Sequence, residues 1–111
     1  MKPKIARSQD VVIFAPEGEL DTHNSPELRE SLLQEMKGGS TKILVDLSRV
    51  GYMDSAALGA LVYGYKRARE MNVQFKISSV RGPVAKIFQL TRLNKFFDIY
   101  QNSNEALASF R

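Results

Sequence analysis

Val11 to Ala15 is a dense run of β-branched and aromatic residues, and a shorter extended candidate, Lys4 to Ser8, precedes it across the polar pair Gln9-Asp10. Two such runs with a two-residue break predict an opening hairpin. Pro16 interrupts the second strand; since proline has no amide to give to a ladder, an edge position or a bulge is expected there. The period then lengthens. Leu28, Leu32, Leu33 and Met36 form one helical face behind Ser25-Pro26-Glu27, which reads as a hydroxyl N-cap, a proline in the first turn and an acid facing the helix dipole. Gly38-Gly39 ends that helix.

Ile43 to Leu47 is short and nearly all apolar, the pattern of a strand covered on both faces. From Ser55 a second helix is expected to about Glu70, with Leu58, Leu61, Val62 and Tyr65 on its buried side and Asp54 as its N-cap. Gly59 and Gly64 weaken that helix, so close packing against the sheet is the expected compensation for both. Val73 to Ile77 alternates as a strand, and Gly82-Pro83 opens a third helix whose Val84, Ile87, Phe88 and Thr91 share a face. Phe97 to Tyr100 reads as a last short strand. Asn102 with Glu105 resembles a capping box for a final helix carrying Ala106, Leu107 and Phe110.

The order β-β-α-β-α-β-α-β-α predicts an α/β fold over residues 1–111: one domain with a mixed, mostly parallel sheet opened by a hairpin, and about four helices. Right-handed crossovers put the strand-to-helix turns on one rim, collecting Asp21 to Asn24, Ser48 to Ser55 and Ser79 to Gly82.

Composition narrows the function. A chain of 111 residues with 25% charged and 43% hydrophobic residues suits one ordinary globular domain. No apolar run approaches the roughly 20 residues that span a bilayer, and the basic start Met1-Lys2-Pro3-Lys4 leads into no apolar signal core. With zero cysteines as well, a cytoplasmic protein without a membrane partner is expected. Residues 1–55 hold seven Lys/Arg against nine Asp/Glu, while residues 56–111 hold nine against three. The basic residues of the second half are scattered over several elements, which favours a solvated surface over a direct nucleic-acid footprint.

Few residues offer chemistry. His23 is the one histidine, too little for a Ser-His-Asp array or a multi-histidine metal site. Gly38-Gly39-Ser40-Thr41-Lys42 has phosphate-loop residue types in the wrong order and behind a helix. Asp21, Asp46 and Asp54 could meet on the rim as a magnesium or phospho-acceptor cluster, but a receiver needs paired acids after its first strand and a lysine late in the sheet. No catalytic residue, metal site or cofactor is therefore expected. Ser55 is more informative: it follows the cap and should present its hydroxyl to solvent at a helix start. Spacing alone leaves open whether it is a modification site or a second capping hydroxyl.

The stretch Asp46-Leu47-Ser48-Arg49-Val50-Gly51-Tyr52-Met53-Asp54-Ser55-Ala56-Ala57-Leu58-Gly59 resembles the signature of the STAS domain, the family of sulfate transporters and anti-sigma factor antagonists. Gly18-Glu19-Leu20-Asp21 is similar to a second family landmark and Ile87 to Tyr100 to a third, so the resemblance covers nearly the whole chain. It implies a free-standing anti-sigma factor antagonist with Ser55 as its phosphorylation site. Unphosphorylated, such a protein binds an anti-sigma factor that is also a serine kinase and frees the sigma factor; the kinase inactivates it with ATP and a PP2C-type phosphatase resets it. By the same resemblance Asp21, Thr22, Asn24, Asp54, Ala56, Ala57 and Leu58 form the partner-binding surface, while Ser25 is structural. Ala57 stands where many members have glycine, which adds a methyl group at the start of the helix. The rival expectation is a constitutive STAS subunit of a lipid-transport ABC complex or of a stress-sensing scaffold.

Overall fold

The computed structural model describes residues 4–111; the basic start Met1 to Pro3, read above for the lack of a leader, lies outside them. In chain order the elements are β1 (Lys4–Ser8), β2 (Val11–Ala15), β3 (Gly18–Leu20), α1 (Ser25–Lys37), β4 (Lys42–Asp46), β5 (Val50–Met53), α2 (Ser55–Glu70), β6 (Gln74–Ser78), α3 (Gly82–Leu90), β7 (Ile99–Tyr100) and α4 (Ser103–Ser109). β1 and β2 form the expected hairpin, in register from Lys4 opposite Ala15 to Ser8 opposite Val11. Gln9 makes its turn at φ 56°, a left-handed conformation tolerated in a two-residue loop. β2, β4, β6 and β7 then run parallel, giving a five-stranded sheet of order β1-β2-β4-β6-β7.

Alternation along the strands separates two cores. Val12, Phe14, Ile43, Val45, Phe75 and Ile77 point to the side covered by α1, α2 and α3, where Leu28, Leu32, Leu61, Val84 and Phe88 meet them. Val11 and Leu44 point to the other side, where Ala106 of α4 covers them. The central strand β4 is sealed on both faces, with Ile43, Leu44 and Val45 each at 0% exposure. Each such side chain stabilises the fold by roughly 1.5 to 3 kcal/mol relative to an exposed position.

Three expectations change. β2 stops at Ala15 and lies inside the sheet between β1 and β4, so Pro16 ends the strand instead of marking an edge or a bulge within it. The two glycines of α2 part company: a Cβ on Gly64 would lie 3.1 Å from Leu32 and 3.3 Å from Phe75, whereas one on Gly59 would meet nothing within 4 Å. Close packing therefore explains Gly64 and leaves Gly59 without an internal reason. The third change is a second sheet, in which β3 and β5 pair in parallel with Leu20 beside Met53. Three- and four-residue strands containing Gly18, Glu19 and Gly51 carry no clear alternation, and only their buried Leu20, Val50 and Met53 tie them to the core.

Candidate functional site

The small sheet positions the site. Because Leu20 pairs with Met53, the residues that follow them, Asp21 and Asp54, leave the sheet together, and the Asp54 amide donates to the Leu20 carbonyl at 3.1 Å. Asp54 then caps α2 as expected: its backbone is extended (φ −102°, ψ −178°) and Oδ1 accepts from the Ala57 amide at 3.0 Å. Its other oxygen reaches across the chain, accepting from the Thr22 amide at 3.0 Å and from Thr22 Oγ1 at 3.3 Å. The Ala57 amide does most to hold the Asp54 carboxyl below its ordinary value of 3.8; burial opposes it, and the Thr22 amide and hydroxyl and the Ala56 amide add to the lowering. Asp54 is thus an anion at neutral pH.

The loop before α1 is braced from within. Asp21 Oδ1 accepts from the amides of His23 at 2.9 Å and Asn24 at 3.3 Å, while Asn24 Oδ1 accepts from the Asp21 amide at 2.9 Å. Asn24 Nδ2 donates to the Glu19 carbonyl at 2.7 Å, fastening the loop to β3. Asn24, not Ser25, occupies the N-cap position of α1, and it makes no side-chain cap bond because both ends of its amide serve the loop. Ser25 is buried at the first position of the helix, so its hydroxyl is not the cap.

Ser55 is exposed at the first position of α2, and its hydroxyl has no hydrogen-bond partner among the described residues. The amides one turn ahead are already occupied: Ala57 gives its amide to Asp54 Oδ1, and Leu58 gives its own to the Asp54 carbonyl at 3.1 Å. What the helix start still offers a negative group at Ser55 is the positive end of its dipole. Ala56 is half-buried beside Ser55. Ala57 at 0% and Leu58 at 3% exposure belong to the main core, which corrects their place in a partner-facing surface: their side chains hold α2 down and cannot reach a docked protein. The methyl of Ala57 is likewise inside, so it does not crowd the surface. Tyr52, three positions before Ser55, is 49% exposed on β5.

Other rim groups face elsewhere. Asp46 Oδ1 accepts from the Ser48 amide at 3.0 Å, and among the described residues no three His, Asp or Glu converge as metal ligands. Arg81 donates to the Gln101 carbonyl at 3.1 Å and the Ser79 amide to the Tyr100 carbonyl at 3.0 Å, directing Ser79 to Gly82 toward α4. No helix among the described residues is long and apolar enough to cross a membrane.

Comparison with known proteins gives the same outline. The anti-sigma-B factor antagonist of Staphylococcus aureus is 31% identical over 86 residues, covering 78% of this chain and 80% of that protein. A crystal structure from Thermotoga maritima, provisionally described as an anti-sigma factor antagonist, superposes with a TM-score of 0.89 at 29% identity, covering 96% of this chain and 92% of that one. The Bacillus cell fate determinant SpoIIAA in its phosphorylated form shares the fold, with a TM-score of 0.75 at 20% identity over 98% of this chain and 99% of that one. The model of the STAS domain matches residues 2–106, and with the hairpin, the mostly parallel sheet and four helices in place, the chain belongs to the STAS domain family.

Proposed function

We propose that this protein is an anti-sigma factor antagonist with no catalytic activity of its own, a cytoplasmic binding module switched off by phosphorylation of Ser55. The observation that carries the reading is the unpartnered, exposed hydroxyl of Ser55 beside a carboxylate that already takes the Ala57 amide. A phosphate on Ser55 adds about −1.5 to −2 charges. With the amides of Ala57 and Leu58 taken by Asp54, little inside the protein draws that charge inward. It faces outward, next to the Asp54 anion, into the surface where a partner docks. Like charges forced together in an interface cost several kcal/mol, and about 3 kcal/mol is roughly a hundredfold in affinity.

In this cycle the unmodified protein binds an anti-sigma factor with serine kinase activity through Thr22, Tyr52, Ser55 and Ala56. Asp21, Asn24 and Asp54 hold that surface in shape. The kinase transfers the γ-phosphoryl group of ATP to the Ser55 oxygen, releasing ADP and a proton, and a PP2C-type phosphatase hydrolyses the ester. The similarity to an anti-sigma-B factor antagonist supports the reading. It is tested by incubating the protein with its candidate kinase and ATP and locating the product by mass spectrometry. One acid-stable phosphate on Ser55 is expected; modification elsewhere, or an acid-labile aspartyl phosphate, refutes the assignment.

A further inference from the structure

Gly59 is exposed on α2, where it costs helix stability, and no neighbouring side chain uses the space it leaves. That space is the floor of a groove of about 410 Å³ between α1 and α2, lined by Ser25, Pro26, Arg29, Ala56, Ala60 and Tyr63 together with Gly59. The groove begins at Ala56, directly after Ser55, so it continues the surface assigned above. Its wall is built: Arg29 of α1 lies over the Tyr63 ring of α2, with its guanidinium carbon 5.2 Å from the ring centroid. Arg29 is the one charged lining residue and has no hydrogen bond or ion pair among the described residues. Stacking pre-orients a planar guanidinium, which favours paired contacts to a carboxylate.

We infer that this groove, resting on the reading of Ser55 as a kinase-docking switch, receives an acidic segment of the anti-sigma kinase, whose carboxylate meets Arg29 and whose backbone lies against Gly59. The charge of the groove selects the occupant: a single unpaired cation with no acid in the lining suits an anionic side chain. The glycine explains the closeness, because a methyl group there would stand where the incoming backbone sits.

The probe is the purified kinase shown to phosphorylate Ser55, titrated calorimetrically against wild type, Gly59→Ala and Arg29→Glu. Gly59→Ala should raise the melting temperature by about 4 °C while weakening the kinase tenfold or more, opposite signs that a merely structural glycine cannot give. Arg29→Glu should weaken binding at least tenfold with little change in melting. Wild-type affinity in both variants, while Ser55→Asp still binds worse than Ser55→Ala, rejects the groove and leaves the switch standing. Equal affinity of the two Ser55 variants rejects the switch and the groove with it. A dimer of the protein alone that either groove variant converts to monomer would put a second copy in the groove and overturn the assignment.

Discussion

Lys76 on the α4 side of the sheet and Ser55 at the head of α2 are both polar side chains on regular elements, and they differ in whether their bonds are made inside the protein. Lys76 is buried and fully engaged. Its Nζ donates to Ser109 Oγ at 2.8 Å, to the Ser109 carbonyl and to Tyr100 Oη at 3.2 Å each, and it lies 3.3 Å from Asp98 Oδ2. The rings of Tyr100 and Phe110 flank it at 5.1 and 5.0 Å. Gln74 and Ser78, two residues to either side, reach Arg111 and Ser103 in the same way, so this strip of β6 works as a fastener for a short helix with one buried residue, Ala106. At Ser55 the engaged group is its neighbour, Asp54, and the hydroxyl is left over. A polar group whose bonds are all made inside supports structure, while one left unpartnered beside a fixed anion is available to an outside molecule.

The contrast can be broken most decisively at Ser55. Ser55→Ala should retain the kinase and Ser55→Asp should lose affinity by roughly a hundredfold, with melting of both within about 0.5 kcal/mol of wild type. Lys76→Ala should do the reverse, lowering unfolding free energy by about 2 kcal/mol in a denaturant titration and leaving kinase affinity unchanged. If Lys76→Ala changed binding as Ser55→Asp does, the two regions would not be separate. Gly64→Ala sharpens the role of packing beneath α2: with Leu32 at 0% and Phe75 at 5% exposure, neither neighbour can easily give way, and a loss of about 1 kcal/mol is expected.

Asp54→Ala removes the cap of α2 and should cost about 1 kcal/mol near neutral pH. The folded protein holds this carboxyl below 3.8, so its contribution is complete above that value and disappears as the pH falls through the lower folded value. Stability curves of wild type and Asp54→Ala should therefore converge in acid and separate above about pH 4. Curves that stay parallel would show that the cap acts without its charge.

Wherever a long run carried a clear period, the sequence read true. The hairpin and its turn, the sealed strand β4 and the bounds of α2 all rest on five or more residues of consistent pattern. β3 and β5 were missed because they are short and hold one or two inward side chains each, and Tyr52 was hidden with them. The site was legible in its residue types and illegible in its orientations. Asp54 as a cap follows from its place before a helix, but its bond to Thr22, 32 residues away, exists only because the small sheet brings two loops together. The family resemblance puts Ala57 and Leu58 on the partner surface, whereas at i+2 and i+3 from Ser55 the helix has turned their side chains toward the core, as its period already indicates for Leu58. Gly59 looked like Gly64 in the sequence, and only the neighbours across the helix interface distinguish them.

Asp54 joins the loop before α1 to the first turn of α2, so two separate crossovers of the fold end on one carboxylate. The two loops are thereby held to each other before any partner arrives, which lowers the ordering entropy that docking there would cost. If Ser55 is modified as proposed, adding and removing the ester would then set the tempo of the switch.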